Sequence, residues 1–281
     1  MSKIESILLG TAQDSGLPQV GCAKDCCKQA LSDPTKRKYA VCLGVADHTT
    51  QQTWLIDATP DFPEQFAALH SRYPDYELAG ILLTHAHIGH YTGLMYLGRE
   101  AMSSQNIPVY ASQQMANFLY LNAPWSRLIE DRNIGLHILT PDENFTLTPN
   151  LQITPLSVPH RDEFSDTLAF IVRGPQRSLF YCPDIDSWNE WGRDLRTFIE
   201  TLDVALLDAT FYDSDELLDR DISEIPHPYA VDTAQRLAGV DCLVYLIHLN
   251  HTNPLHNPGE QRRELAAKGI SVGNFGMVWE L

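Results

Sequence analysis

Four apolar runs of strand length in this chain end on side chains that bind metals. This recurrence limits the fold more than any other feature. Residues 78–83 lead straight into Thr84-His85-Ala86-His87-Ile88-Gly89-His90. Residues 151–158 are followed by His160, residues 178–182 by Asp184, and residues 243–247 by His248. Strand ends gather on one rim of a sheet, where ligands usually bind in α/β folds. A chain with these endings is expected to bring donors from distant stretches to a single rim.

Each later ending also has a local explanation. His160 suits an ordinary loop, Asp184 a helix N-cap ahead of Trp188, and His248 a hydrogen-bonded core position. The triplet is harder to dismiss. On an extended segment His85 and His87, at i and i+2, point to the same side, and a following turn can bring His90 round to them. Neutral imidazoles so placed are ready ligands for a divalent ion.

Further strands are predicted at residues 4–9, 39–46, 54–56, 108–111, 167–172 and 204–207, several of them rich in β-branched or aromatic residues. Helices are predicted at 61–73, 113–122, 188–201, 228–238 and 259–268. In the first, Phe62, Phe66, Leu69 and Tyr73 recur at three- and four-residue spacing. Many strands follow one another with no helix between them. Two mixed sheets packed face to face, with helices outside, therefore fit better than one doubly wound parallel sheet. With no repeat, low-complexity tract or linker, residues 1–281 read as one α/β (α+β) domain.

The charge balance narrows the partners. With 36 acidic and 20 basic residues the formal net charge is -16, and there is no basic run to displace phosphate counterions. Nucleic acid and anionic membrane surfaces are disfavoured. No apolar run approaches the roughly 20 residues that span a bilayer, and residues 1–10 lack the marks of a secretory signal. The expected setting is the reducing cytoplasm, with a small-molecule substrate. The oligomeric state stays open, a homodimer being one option.

In that setting a cysteine cluster points to metal or redox chemistry rather than disulfides. Three of the six cysteines, Cys22, Cys26 and Cys27, lie within six residues. Three thiolates make a structural Zn²⁺ site if a fourth ligand arrives from a distance, and His251, three residues past His248, is the candidate. A redox-active Cys26–Cys27 pair and inert buried thiols are the alternatives. Cys42, Cys182 and Cys242 fall in apolar stretches and read as small core residues.

The ordered series of histidines and Asp184 resembles the metallo-β-lactamase-fold hydrolases, whose pattern is HxHxDH followed by a lone His, a lone Asp and a final His. The resemblance runs from the first strand to His248. It implies a four-layer αββα sandwich. It also implies one metal on His85, His87 and His160, a second on His90 and His248, Asp184 bridging them, and Asp57 as a buried support. GTAQDSGLPQVGC and IHLNHTNP are closest to the pyrroloquinoline-quinone biosynthesis protein B family. The cyclic phosphodiesterases of the carbon–phosphorus lyase pathway are a second near group. Both imply a structural zinc in the N-terminal loop, about residues 10–30. The cysteine order here, C-x-x-x-C-C, differs from the usual C-x-C-x-x-C.

One departure touches the chemistry. The motif's Asp is Gly89 here, which supplies no ligand. Three arrangements follow: one metal, two unequal metals, or a substitute carboxylate from Asp14, Asp162 or Asp186. The active-site ion is expected to be Zn, Fe or Mn, one or two per chain, beside one structural Zn.

The leading expectation is a metallohydrolase acting on a small phosphodiester, lactone or other ester. Asp184 would orient the attacking hydroxide, and His90 and His248 would stabilise developing charge. An iron-dependent oxygenase like that suspected in quinone biosynthesis is the alternative, since His/Asp ligands with open positions suit Fe²⁺ too. A non-catalytic metal-binding protein with a degenerate site is the third. His227, between Pro226 and Pro228, is a candidate substrate-positioning residue by the same resemblance. Asp208, with Thr210 and Tyr212, reads as pocket lining or a buried hydrogen-bond partner. Arg161 reads as a surface ion pair or an anchor for an anionic group. His48, His70, His137 and His256 look incidental, and Trp125, Trp188 and Trp191 belong to packing or a pocket wall.

Overall fold

A computed structural model describes residues 3–216 and 225–281. Fourteen strands form two seven-stranded sheets among the described residues. The first sheet contains β1 (Ile4–Gly10), β2 (Cys42–Asp47), β3 (Gln52–Ile56), β4 (Glu77–Leu82), β5 (Ile107–Ala111), β6 (Ile134–Ile138) and β14 (Val278–Glu280). Its order is β14-β1-β2-β3-β4-β5-β6. The second contains β7 (Phe145–Thr148), β8 (Leu151–Val158), β9 (Thr167–Arg173), β10 (Ser178–Cys182), β11 (Val204–Asp208), β12 (Leu243–Ile247) and β13 (Ile270–Val272). It runs β13-β12-β11-β10-β9-β8-β7.

Strand alternation explains the layers. In β1, Leu8 faces the other sheet while Ile7 and Leu9 face outward; in β10, Leu179 and Tyr181 face inward while Phe180 and Cys182 face outward. Both faces are apolar, so these strands read as continuous apolar runs. The inner core joins Leu43, Ile56, Phe170 and Leu206 across the two sheets. One outer core packs the first sheet on α2 (Phe62–Arg72) and α4 (Gln113–Leu121). The other packs the second sheet on α6 (Leu195–Ile199), α7 (Ala230–Arg236) and α8 (Glu260–Ala267). Three cores between four layers make the αββα sandwich expected from sequence.

Direction places the strand ends. β3 to β6 are parallel, as are β10 to β13. β8 and β10 are each antiparallel to β9, so they point the same way. Asp57, the triplet, His160, Asp184, Asp208 and His248 therefore emerge on common rims of the two sheets.

Several boundaries differ from the expectation. The predicted helix at 188–201 is confined to Leu195–Ile199, because Gly192 takes φ 71° and Asp194 caps the start, accepting from Thr197 N at 2.9 Å. The cysteine cluster, read as loop, includes a short helix α1 (Asp25–Ser32) that buries Cys27 and Ala30. Strands β6, β7, β13 and β14 were not foreseen; each has at most five residues and so offers little periodicity.

Candidate metal centre

His85 and His87 leave β4 on extended backbone, and His87 serves as the N-cap of α3 (Ile88–Tyr91). That single helical turn, closed by His90 N–H donating to His87 O at 2.9 Å, swings His90 back toward the pair. The local geometry is the one the spacing predicted.

Two pockets share Asp184. In the first, His85 Nε2 stands 2.9 Å from His87 Nδ1, and His160 Nε2 stands 3.1 Å from that same Nδ1. Asp184 Oδ2 lies 3.3 Å from His85 Nε2 and 3.2 Å from His160 Nε2. Four ligands about 2.05 Å from a tetrahedral Zn²⁺ stand about 3.3 Å from one another, so these donors already have the spacing of a coordination shell. Each imidazole is held from behind. Thr84 Oγ1 contacts His85 Nδ1 at 2.9 Å, Glu163 contacts His87 Nε2 at 3.1 Å, and Asp186 contacts His160 Nδ1 at 2.7 Å. Such partners set the tautomer and aim of metal-binding histidines.

In the second pocket, His90 Nε2 and His248 Nε2 each lie 3.8 Å from Asp184 Oδ2, and Asp14 Oδ1 lies 3.8 Å from His90 Nε2. All three of these outer atoms are buried without a hydrogen-bond partner. Asp57 accepts from His90 Nδ1–H at 2.8 Å and from Thr84 N and Oγ1 at 2.9 Å each, which turns His90 Nε2 inward. Asp208 and Thr210 do the same on the other sheet. Thr210 Oγ1 contacts His248 Nδ1 at 2.8 Å, and Asp208 accepts from Thr210 N at 2.9 Å. Asp57 (φ 72°) and His248 (φ 60°) both occupy left-handed backbone, a cost usually kept only where surroundings over-determine the geometry.

The electrostatics call for a cation. Asp184, Asp57 and Asp208 are buried, and the polar side chains within reach of Asp184 are imidazoles. Burial opposes ionisation of Asp184, but His160, His248 and His227 hold its carboxyl well below the usual range. Burial likewise opposes charge on His160, yet Asp184 and Asp186 push it up to about 10. Burial keeps His85 and His87 below the ordinary histidine value, hence neutral and fit to coordinate. Donor spacing, orphaned nitrogens and a buried, ionised Asp184 all suit one or two divalent ions.

The remaining expectations divide. Asp208 is not placed to meet substrate: it is fully enclosed, and its oxygens accept from Thr210, from Ile185 N at 3.1 Å and from His227 Nδ1–H at 2.8 Å. His227 Nε2 is buried and unpartnered, and His227 borders a cavity of about 590 Å³ that Asp186 and Trp188 also line. Of the substitute carboxylates, Asp186 supports His160 and Asp162 is exposed in the loop, while Asp14 enters the second pocket. Arg161 makes no ion pair among the described residues, and its Nε is buried without a partner. Trp188 and Trp191 pack with Ile185 and Leu195 in the outer core.

Cys22, Cys27 and His251 come together, their donor atoms all within 4.8 Å. Cys26 does not join that set, although its Sγ is 3.9 Å from that of Cys27. It is half-buried and packs against the Leu17, Cys27 and Ala30 cluster. Gln19 N–H donates to Cys27 Sγ at 3.3 Å and Lys24 N–H to Cys22 Sγ at 3.4 Å, as backbone amides do around a thiolate. One residue was missed. His256, read as incidental, is buried behind the His248–His251 turn and donates from Nε2 to Asn250 O at 2.9 Å. Only burial distinguishes it from a loop histidine, so its sequence carried no signal.

Comparison with known proteins agrees with this architecture. The chain is 25% identical over 307 residues to the coenzyme PQQ synthesis protein B of Methylobacterium sp. (strain 4-46), covering 99% of this chain and all of that one. It is 27% identical over 308 residues to the protein of the same name from Azotobacter vinelandii, covering 98% and 99%. Zn²⁺-bound PqqB from Methylobacterium extorquens superposes with a TM-score of 0.83 at 20% identity, over 99% of this chain and 100% of that one. A diphosphatase of the PhnP family superposes with a TM-score of 0.72 at 22% identity, over 100% and 98%. The model of the beta-lactamase superfamily domain matches residues 52–249, well over half the chain. That match spans β3 to the turn after His248, the segment that carries most of the donors described above, and the chain belongs to the beta-lactamase superfamily.

Proposed function

We propose that the protein is a metal-dependent hydrolase of a small ester-type substrate, a phosphodiester or a phosphoanhydride first among them. The observation that carries this reading is Asp184, whose carboxylate stands between a pocket of three closely spaced imidazoles and a second pocket in which His90 Nε2 and His248 Nε2 are buried and unpartnered. A divalent ion held there supplies Lewis acidity and makes water ionise near neutral pH.

The chain's own residues supply the rest. Asp184 Oδ2 would accept a hydrogen bond from the attacking water and orient it between the pockets. His227 faces the same space. Burial disfavours its protonated form, but Asp208 and Asp184 override burial and raise its pKa. His227 Nε2–H can therefore donate to the departing oxygen while Asp208 holds the ring. The -16 net charge repels large polyanions and so favours a small substrate.

The test is a panel of chromogenic phosphodiester, diphosphate, ester and lactone substrates, run with wild type and with His85→Ala. Turnover lost with the metal in His85→Ala supports the reading; retention of both refutes it. The relatives' name places them in coenzyme PQQ synthesis, and His/Asp donors that suit Fe²⁺ as well as Zn²⁺ make an oxidative step the second reading. Oxygen uptake by anaerobically Fe²⁺-loaded protein with tyrosine-containing peptides, and no hydrolysis, would select it.

A further inference from the structure

We propose that Asp14 replaces the motif's missing carboxylate and serves as a ligand of the second pocket, delivered from the β1–α1 loop instead of from the helix that bears His90. The inference rests on the metal-dependent reading above and deepens it at one site.

The first argument is spatial. A β-carbon built on Gly89 would stand 2.4 Å from Asp14 Oδ1, 2.5 Å from Asp14 Cα and 3.1 Å from Asp14 Cβ. The space that an aspartate at 89 would need is thus filled by Asp14 itself. The two carboxylates exclude one another, and Gly89 is the residue that lets the loop approach.

The second argument is that Asp14 arrives with nothing else to bind. Its Oδ1 is buried and has no hydrogen-bond partner, and neither have His90 Nε2 and His248 Nε2, which share its pocket within 4.8 Å. Three orphaned ligand atoms from three separate segments would cost several kcal/mol if left facing one another with nothing between them. A cation satisfies all three at once. The carboxylate also balances the pocket's charge, as a second ion there needs an anion besides the shared Asp184.

The third argument is how the loop is held. Gln13 N–H donates to Leu249 O at 3.0 Å, and Leu249 N–H to Thr11 O at 2.9 Å. The residues before Asp14 are thereby stitched to the residue after His248. Leu17 and Lys38 exchange backbone hydrogen bonds of 2.8 and 2.9 Å on the far side. Asp14 and His248 are consequently fixed relative to each other by main-chain bonds, as two ligands of one ion must be.

The experiment is removal of the carboxylate, read by metal binding. Apo forms of wild type, Asp14→Asn and Asp14→Ala are titrated with Zn²⁺ by calorimetry, with ion content counted by elemental analysis and melting temperatures recorded beside it. Asp14→Asn should lose the weaker active-site ion, its affinity falling at least about 10- to 100-fold, the loss seen when even an indirect partner of a metal ligand is removed. The tighter ion and the cysteine-cluster ion should stay. Asp14→Ala should lose the same ion, since it too removes the carboxylate while the main-chain bonds that hold the loop stay in place. Unchanged second-ion affinity in Asp14→Asn overturns the proposal, as does a wild type that binds only one active-site ion. An Asp14→Ala variant that melts like wild type and keeps the second ion also overturns it. The hydrolase reading itself stands or falls separately, on His85→Ala.

Discussion

In the first pocket the donor atoms stand 2.9 to 3.3 Å apart, whereas in the second the measured spacings to Asp184 and between Asp14 and His90 are 3.8 Å. Two of the first pocket's four donors lie two residues apart on one strand end, and the other two follow β8 and β10, which flank β9 in the opposite sheet. The second draws on the helix turn, the exit of β12 and a loop some 75 residues upstream of Gly89 in sequence. One pocket is a product of strand geometry. The other depends on a loop being clipped in place, and the cysteine cluster sits on that same loop.

The largest effect should come from the first pocket. His160→Ala is expected to remove its ion and lower turnover by about 10³-fold or more, several kcal/mol of lost charge stabilisation. Metal content and steady-state rates check this, and an active, fully loaded variant would dissolve the distinction between the pockets. Next is the clip. Cys22→Ser should lower the melting temperature by roughly 5–10 °C, a few kcal/mol at about 2–4 °C each. It should also weaken the second pocket more than the first. An equal loss in both would show that the loop does not discriminate between them.

Asp57→Asn is expected to release His90 and cost the second ion about 10- to 100-fold in affinity, with about 1–3 kcal/mol of stability lost from the unpaired His90 Nδ1–H and Thr84 N–H. A variant that loses stability alone would reduce Asp57 to a packing residue. The mildest test uses pH. Burial lowers His256 to about 4, against an ordinary value near 6.5. Between those values the unfolded chain binds the extra proton, so stability is full above about 6.5 and falls as pH drops toward 4. His256 braces the turn after His248, so acid should loosen the second pocket first. His256→Gln should flatten that pH dependence in melting curves; an unchanged slope would assign it to other groups. Glu5 should add a later loss. Its burial is overcome by Lys3 and Tyr73, which hold it at about 2, so its contribution fades only below about 4.5.

Much of the first pocket was legible in the residues. His85 and His87 alternate on extended backbone, and apolar runs mark where β8 and β10 end. Helix 188–201 was not, since Gly192's left-handed backbone and the Asp194 cap break a pattern that periodicity alone extends. That His251 meets Cys22 and Cys27 depends on a residue far away in the chain. Asp208 was placed at a strand end correctly. Its enclosure, and hence its role behind His227 and His248, depends on neighbours that are far away in the chain.

By itself the sequence determined which side chains would emerge at strand ends and, through alternation, that β-layers apolar on both faces had to be covered on both faces. These follow from local geometry, because strand and helix periods are properties of consecutive residues. Only the tertiary structure decided that Asp14 stands where a side chain at 89 would be, that Cys22 and Cys27 meet His251, and that His256 is buried. Each depends on two segments brought within a few ångströms by sheet order and main-chain stitching, and no spacing along the chain encodes that distance.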